Sequence, residues 1–133
     1  MNAAASEGRE RPNAFFPGRA PIDAYGNGGF RFADMSHRGS ILCLPSGIQA
    51  WSVATADAIT IDALAAVVRE ADAIEVLLLG TGSSQVFPPA ALRQALAAEN
   101  IGIEAMSTGA AARTYNILLA EQRLVAAALI AVD

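Results

Sequence analysis

The chain has 133 residues, 53% hydrophobic and 17% charged, with nine Arg, no Lys and thirteen acids for a formal net charge of −4. That length suits a single domain, able to bury roughly two-thirds of its unfolded surface without a disulfide or metal staple. The acidic balance speaks against a nucleic-acid binder, which concentrates positive charge. Cys43 and His37 are the only cysteine and histidine, which excludes an internal disulfide and any Cys- or His-rich metal site.

Residues 1–19 hold three Arg and two Glu and no apolar run. They lack the central segment of a secretory signal and are expected to be a flexible N-terminal tail, with the folded domain over 20–133. The longest apolar run, residues 124–132, falls short of the about 20 residues a membrane-spanning helix needs. No integral membrane segment is therefore expected. The expected location is the cytoplasm, with any membrane association made through a partner.

The first half reads as strands. Ile22-Asp23-Ala24-Tyr25, Gly26-Asn27-Gly28-Gly29 and Phe30-Arg31-Phe32 predict a hairpin whose turn takes positive φ angles. Phe30 and Phe32 share one strand face and Arg31 the other. Residues 34–39 are polar and turn-like. Ser40-Ile41-Leu42-Cys43-Leu44 is a continuous apolar strand stopped by Pro45. Residues 47–51 alternate like another strand.

The second half alternates helix and strand. Ile61, Leu64, Val67 and Val68 fall at helical spacing within 60–71, with Thr60 as the N-cap. Val76-Leu77-Leu78-Leu79 is apolar on both faces, as in the centre of a helix-covered sheet. Residues 80–84 form a loop. Pro88-Pro89 opens a helix to about residue 99. Residues 102–106 form a strand, 110–122 a helix, and 124–132 a last buried strand. The pattern predicts a three-layer α/β domain with a mixed central sheet and an N-terminal β-rich lobe.

Ligands of such sheets gather beyond the carboxyl ends of the strands. Two loops fall there, 80–85 and 106–109. Gly80 and Gly82 flank Thr81, with Ser83 next, so backbone amides and hydroxyls can approach an anion or a small polar group. The spacing is neither that of a phosphate-binding P-loop nor that of a dinucleotide fingerprint. The alternative is a tight strand-exit turn. Arg113, Thr114 and Asn116 crowd polar groups into the start of the last helix, where the macrodipole disfavours a cation. Arg113 therefore needs an acidic or carbonyl partner, either inside the fold or on another molecule. His37 reads as a loop histidine and Cys43 as an inert buried thiol. Trp51 either caps the core or stands exposed as an interface anchor. No catalytic residue and no metal-ligand cluster is assigned.

Tyr25-Gly26-Asn27-Gly28-Gly29-Phe30-Arg31-Phe32, Gly39-Ser40-Ile41-Leu42 and residues 47–51 form the first part of a recognisable pattern. Leu79-Gly80-Thr81-Gly82 and Met106-Ser107-Thr108-Gly109-Ala110-Ala111-Ala112-Arg113-Thr114-Tyr115-Asn116-Ile117-Leu118 continue it, and Glu121, Arg123 and Val125-Ala126-Ala127-Ala128-Leu129 complete it. Over roughly residues 20–131 the chain resembles the Mth938-like domain family (DUF498), whose eukaryotic members include a mitochondrial complex I assembly factor. The resemblance implies a three-layer α/β fold with a mixed sheet, no established catalytic activity and no cofactor. For mitochondrial members it implies a role in assembling NADH:ubiquinone oxidoreductase through contacts with other proteins. Many relatives carry Cys where this chain has Ala112, so a thiol mechanism at that position is excluded here.

The expected function is that of a non-catalytic interaction protein resembling such assembly factors. Its protein partners would bind a cleft formed by Gly80, Thr81, Gly82, Ser83, Thr108, Arg113, Thr114 and Asn116. The alternative is a small-anion-binding protein, or an uncharacterised enzyme, using the same cleft.

Overall fold

The computed structural model describes residues 15–133. Among these residues nine strands and three α-helices follow in chain order. The strands are β1 (Phe15–Pro17), β2 (Ala24–Gly26), β3 (Gly29–Phe32), β4 (Met35–Arg38), β5 (Ser40–Leu44), β6 (Gly47–Trp51), β7 (Val76–Gly80), β8 (Gly102–Met106) and β9 (Val125–Leu129). The helices are α1 (Ala65–Arg69), α2 (Ala90–Ala97) and α3 (Thr108–Ala120). Six strands form one sheet in the order β1-β6-β5-β9-β7-β8, and β2-β3-β4 form a second sheet of three. The large sheet is mixed, because β9 runs antiparallel to β5 and parallel to β7, which is in turn parallel to β8.

The central strands are buried on both faces, which is why they read as continuous apolar runs rather than alternations. Ile41, Cys43, Leu78, Val125, Ala127 and Leu129 point to one side, where they meet Phe30 and Phe32 of the small sheet and Ala111, Ala112 and Tyr115 of α3. Leu42, Leu44, Leu77, Leu79, Ala126 and Ala128 point to the other side, against Leu64 and Val67 near α1 and Leu92 and Leu96 of α2. Each face thus has its own core, and the expected three layers are present. The β-rich lobe is the small sheet, which shares one face of the large sheet with α3.

Three local expectations need correction. The segment taken as a tail falls partly outside the described residues, but its last part is built into the domain. Phe15–Pro17 pairs antiparallel with β6, and Arg19 Nη1 donates to the Val125 carbonyl at 3.2 Å. Pro17 has no N–H and so suits an edge strand, where that group would have no partner. The turn-like stretch 34–39 is mostly strand. Met35–Arg38 pairs with β3, and His37 lies opposite Phe30, buried rather than in a loop. The helix expected over 60–71 is a 3-10 turn at Asp62–Leu64 leading into the five-residue α1. Thr60 still acts at its start, with Oγ1 accepting from Ala63 N at 3.1 Å. So short a helix is held by packing of Leu64 and Val67, not by propensity.

The other elements agree with the sequence to within a residue or two. Asn100, at φ 63°, ends the turn after α2 in the left-handed conformation, and Ile101 N donates to the Leu96 carbonyl at 3.0 Å. Trp51 is a core residue, buried with Nε1 donating to the Ala63 carbonyl at 2.8 Å.

The two hairpins of the small sheet turn alike and differ in chemistry. Asn27 and Gly28 have φ of 52° and 81°, and Ala33 and Asp34 have φ of 49° and 62°. Two positive φ angles in a two-residue loop favour Asn-Gly, which the first turn has and the second lacks. Replacing Ala33 by Asn together with Asp34 by Gly is expected to raise stability by about 1 kcal/mol, read as a higher urea midpoint at unchanged slope.

Candidate functional site

The carboxyl ends of β7 and β9 and the start of α3 meet at one rim. Ser107 caps α3, its side chain accepting from Ala110 N at 3.4 Å. The helix therefore begins at Thr108, two residues earlier than the sequence suggests, and Arg113 lies in its second turn. The macrodipole objection to a cation is accordingly weaker there, since that field fades beyond the first turn.

The Thr108 hydroxyl joins the segments. It accepts from Gly82 N at 3.0 Å and donates to the Ile130 carbonyl at 2.6 Å, while Thr108 N donates to the Gly82 carbonyl at 2.8 Å. Thr108 is fully buried. The Thr81 hydroxyl donates to the Ser84 carbonyl at 2.7 Å, lies 3.1 Å from that of Met106, and accepts from Val86 N at 3.0 Å. Gly80 is buried where β7 and α3 nearly touch. A Cβ there would lie 2.9 Å from Leu129 Cδ2 and 3.0 Å from Thr108 Cα.

Above this rim lies an open cleft of about 680 Å3. Thr81, Gly82, Ser83 and Arg113 line it, together with Tyr25, Ser107 and the chain after β9. Ser83 and Arg113 are exposed. Arg113 makes no ion pair or hydrogen bond among the described residues. The two distant stretches singled out in the sequence therefore do converge, with a guanidinium across from the glycine-containing turn.

The remaining candidates sit elsewhere. Gly80 and Thr108 lie beneath the cleft as structural supports. Thr114 is half-buried and outside the lining. Asn116 is spent on the fold, since Oδ1 accepts from Ile22 N and Nδ2 donates to the Ile22 carbonyl, both at 2.8 Å. This pair fixes the lead-in to β2 against α3.

Sequence reasoning missed Tyr25 as a wall. Its ring lies against Gly109 where a Cβ would collide with it. The available signal was a glycine in the first turn of a helix, where it costs stability unless something must come close. Burial pushes both the Cys43 thiol and the Tyr115 hydroxyl well above their ordinary pKa, which keeps both protonated near neutral pH. Among the described residues no group of three or more His, Cys, Asp or Glu could hold a metal, and no helix is long and apolar enough to cross a membrane.

Asn116→Ala is expected to cost about 2 kcal/mol through its two lost hydrogen bonds. Gly80→Ala is expected to cost about 1–3 kcal/mol through overpacking against backbone. Both losses are read by thermal or denaturant unfolding. An Asn116→Ala protein as stable as wild type would return that side chain to the cleft.

Residues 22–130 match the model of a family described as a protein of unknown function (DUF498/DUF598). An uncharacterised protein of Rhodobacter capsulatus is 40% identical over 115 residues, covering 86% of this chain and 87% of that one. NADH dehydrogenase (ubiquinone) 1 alpha subcomplex assembly factor 3 of Danio rerio is 34% identical over 109 residues, covering 82% of this chain and 63% of that protein. The chain thus spans somewhat under two-thirds of that relative's length. A crystal structure described as that of an outer membrane protein from Bartonella henselae superposes with a TM-score of 0.86 at 58% identity, covering 89% of this chain and 99% of that one. The solution structure of a Mth938-like domain from Bordetella pertussis superposes with a TM-score of 0.71 at 34% identity, covering 84% of this chain and 85% of that one. With a match over most of its length and the same arrangement of strands and helices, the chain belongs to the DUF498/DUF598 family and has the Mth938-like fold.

Proposed function

We propose that this chain is a non-catalytic interaction protein of the respiratory-complex-assembly type, which captures protein partners through the cleft at the carboxyl edge of its sheet. The observation that carries this reading is Arg113. It is an exposed guanidinium without a partner among the described residues, held on a rigid helix at a rim whose threonine hydroxyls are already satisfied. A guanidinium offers several donors in a fixed plane, suited to a partner's carboxylate or backbone carbonyls. Ser83 and Tyr25 extend the contact on either side, and Tyr and Arg are the residues that most often carry interface energy. The relative named as an assembly factor supplies the partner class, subunits or assembly proteins of NADH:ubiquinone oxidoreductase. We place the protein in the cytoplasm, held at a membrane only through such a partner.

A second reading rests on the size of the same cleft. About 680 Å3 with a polar lining is room enough for a small anion.

Arg113→Ala is expected to leave the melting temperature within about 2 °C, as for other exposed substitutions, and to abolish co-purification of complex I subunits. A fall of many degrees would assign Arg113 an internal structural role and end the first reading. A saturable thermal shift with carboxylates or phosphates, lost in Arg113→Ala, would favour the anion instead.

A further inference from the structure

A cavity of about 300 Å3 shares Ala56 and Thr81 with the polar cleft and is otherwise lined by different residues. Leu79, near the end of β7, and Ile59, just after a 3-10 turn at Ala56–Ala58, belong to the buried core and also line it. Val86, Phe87, Pro88 and Pro89 supply a further wall. That wall is fixed at both ends. On one side Val86 N donates to Thr81 Oγ1 at 3.0 Å, and Gln85 Nε2 donates to the Ala105 carbonyl at 2.8 Å. On the other the Pro89 carbonyl accepts from Leu92 N at 3.1 Å, at the start of α2. Two consecutive prolines restrict φ between these anchors. Walls set in advance leave little to be ordered when a ligand enters.

The lining is mainly apolar, and its hydroxyl is already satisfied. The Thr81 hydroxyl donates to the Ser84 carbonyl and accepts from Val86 N. Asp57 is the one charged residue of the lining among the described residues; it is exposed, with Oδ1 accepting from the Thr55 hydroxyl at 2.5 Å. Phe87 is 72% exposed and Val86 44%, so two adjacent apolar side chains of the wall are left in water. A ligand that covered them would remove that apolar surface from solvent. We propose that this cavity binds a small, flat aromatic molecule without an acidic group, at a site separate from the partner-binding surface around Arg113. An apolar cavity of about 150 Å3 holds a benzene ring, so one twice as large takes a bicyclic or substituted ring. The size is at the lower end of the roughly 300–1,000 Å3 that small-molecule sites occupy. The Phe87 ring suits contact with a planar ligand. The Asp57 carboxylate repels an anion, and an apolar lining leaves a bound carboxylate without the hydrogen bonds it loses from water.

The test is an amide- and methyl-resolved NMR titration of the full chain, with indole in one arm and indole-3-acetate, its anionic counterpart, in the other. Saturable shifts with indole are expected in the methyl groups of Ile59, Leu79 and Val86 and in the amides of residues 57–59 and 86–87. Indole-3-acetate is expected to bind at least about threefold more weakly. Phe87→Ala is expected to weaken indole binding about fivefold or more through the lost aromatic contact. Because Phe87 is exposed, a melting temperature near wild type is expected for that variant. Ala56→Leu, which adds bulk to the lining, provides an independent variant expected to weaken binding in the same direction, and a loss in either variant supports the site. Three results overturn the proposal: indole shifts that are absent or grow linearly without saturating, binding indifferent to both Phe87→Ala and Ala56→Leu, or indole-3-acetate bound as tightly as indole. Saturable shifts confined to residues 82–84 and 107–113 would also overturn it, and would place the ring in the polar cleft instead.

Discussion

One buried hydroxyl holds the cleft end of this molecule together. Thr108 Oγ1 sits between Gly82 N and the Ile130 carbonyl, and so joins the loop after β7, the first turn of α3 and the chain leaving β9. The Ile130 carbonyl would otherwise be buried without a partner, at a cost of about 1–3 kcal/mol, while Gly82 N is part-buried. Only a short side chain with both a donor and an acceptor can serve both at once. Gly80 completes the junction by letting the helix start come within van der Waals contact of the strand. The cleft above is shaped by this joint, and Arg113 inherits its direction from it.

The sequence made the layers legible because burial on both faces leaves a plain trace. Ile41-Leu42-Cys43-Leu44 and Val76-Leu77-Leu78-Leu79 could only be central strands, and Phe30 and Phe32 with Arg31 between them could only be a half-buried one. β4 was hidden because Ser36, His37 and Arg38 look like turn residues; the one inward position is filled by a histidine rather than a hydrocarbon. The joining of the 80–84 and 107–113 stretches was legible from topology alone, since both follow neighbouring parallel strands. The roles of individual polar residues were not. Asn116 finds its partner 94 positions away and Thr108 finds one 22 positions away, and no local pattern announces either pairing. A polar side chain that stabilises the fold and one that awaits a ligand look alike until the distant backbone is in place.

The nucleophilic side chains of the described residues are mostly committed to the fold. The Cys43 thiol is buried in the middle of β5, and burial holds it protonated. The Tyr115 hydroxyl is pushed up in the same way, beneath α3. The Thr81 and Thr108 hydroxyls are committed to backbone carbonyls and amides. What faces solvent at the cleft includes the Arg113 guanidinium, the Tyr25 ring, the Thr55, Ser83 and Ser84 hydroxyls and the Asp133 carboxylate.

Two surfaces of the described residues carry exposed arginines. At the cleft the Arg113 guanidinium stands beside an open space of about 680 Å3 with the Tyr25 ring as one wall. On the small sheet a space of about 250 Å3 is lined by Arg31 and Arg38 among others. Tyr25 borders both spaces, because its strand faces the small cavity while its ring crosses to Gly109 at the start of α3. Any change in the β2–β3 hairpin therefore reaches the rim of the cleft through that ring. The two surfaces are physically adjacent, and the short hairpin with its Asn27-Gly28 turn is the element they have in common.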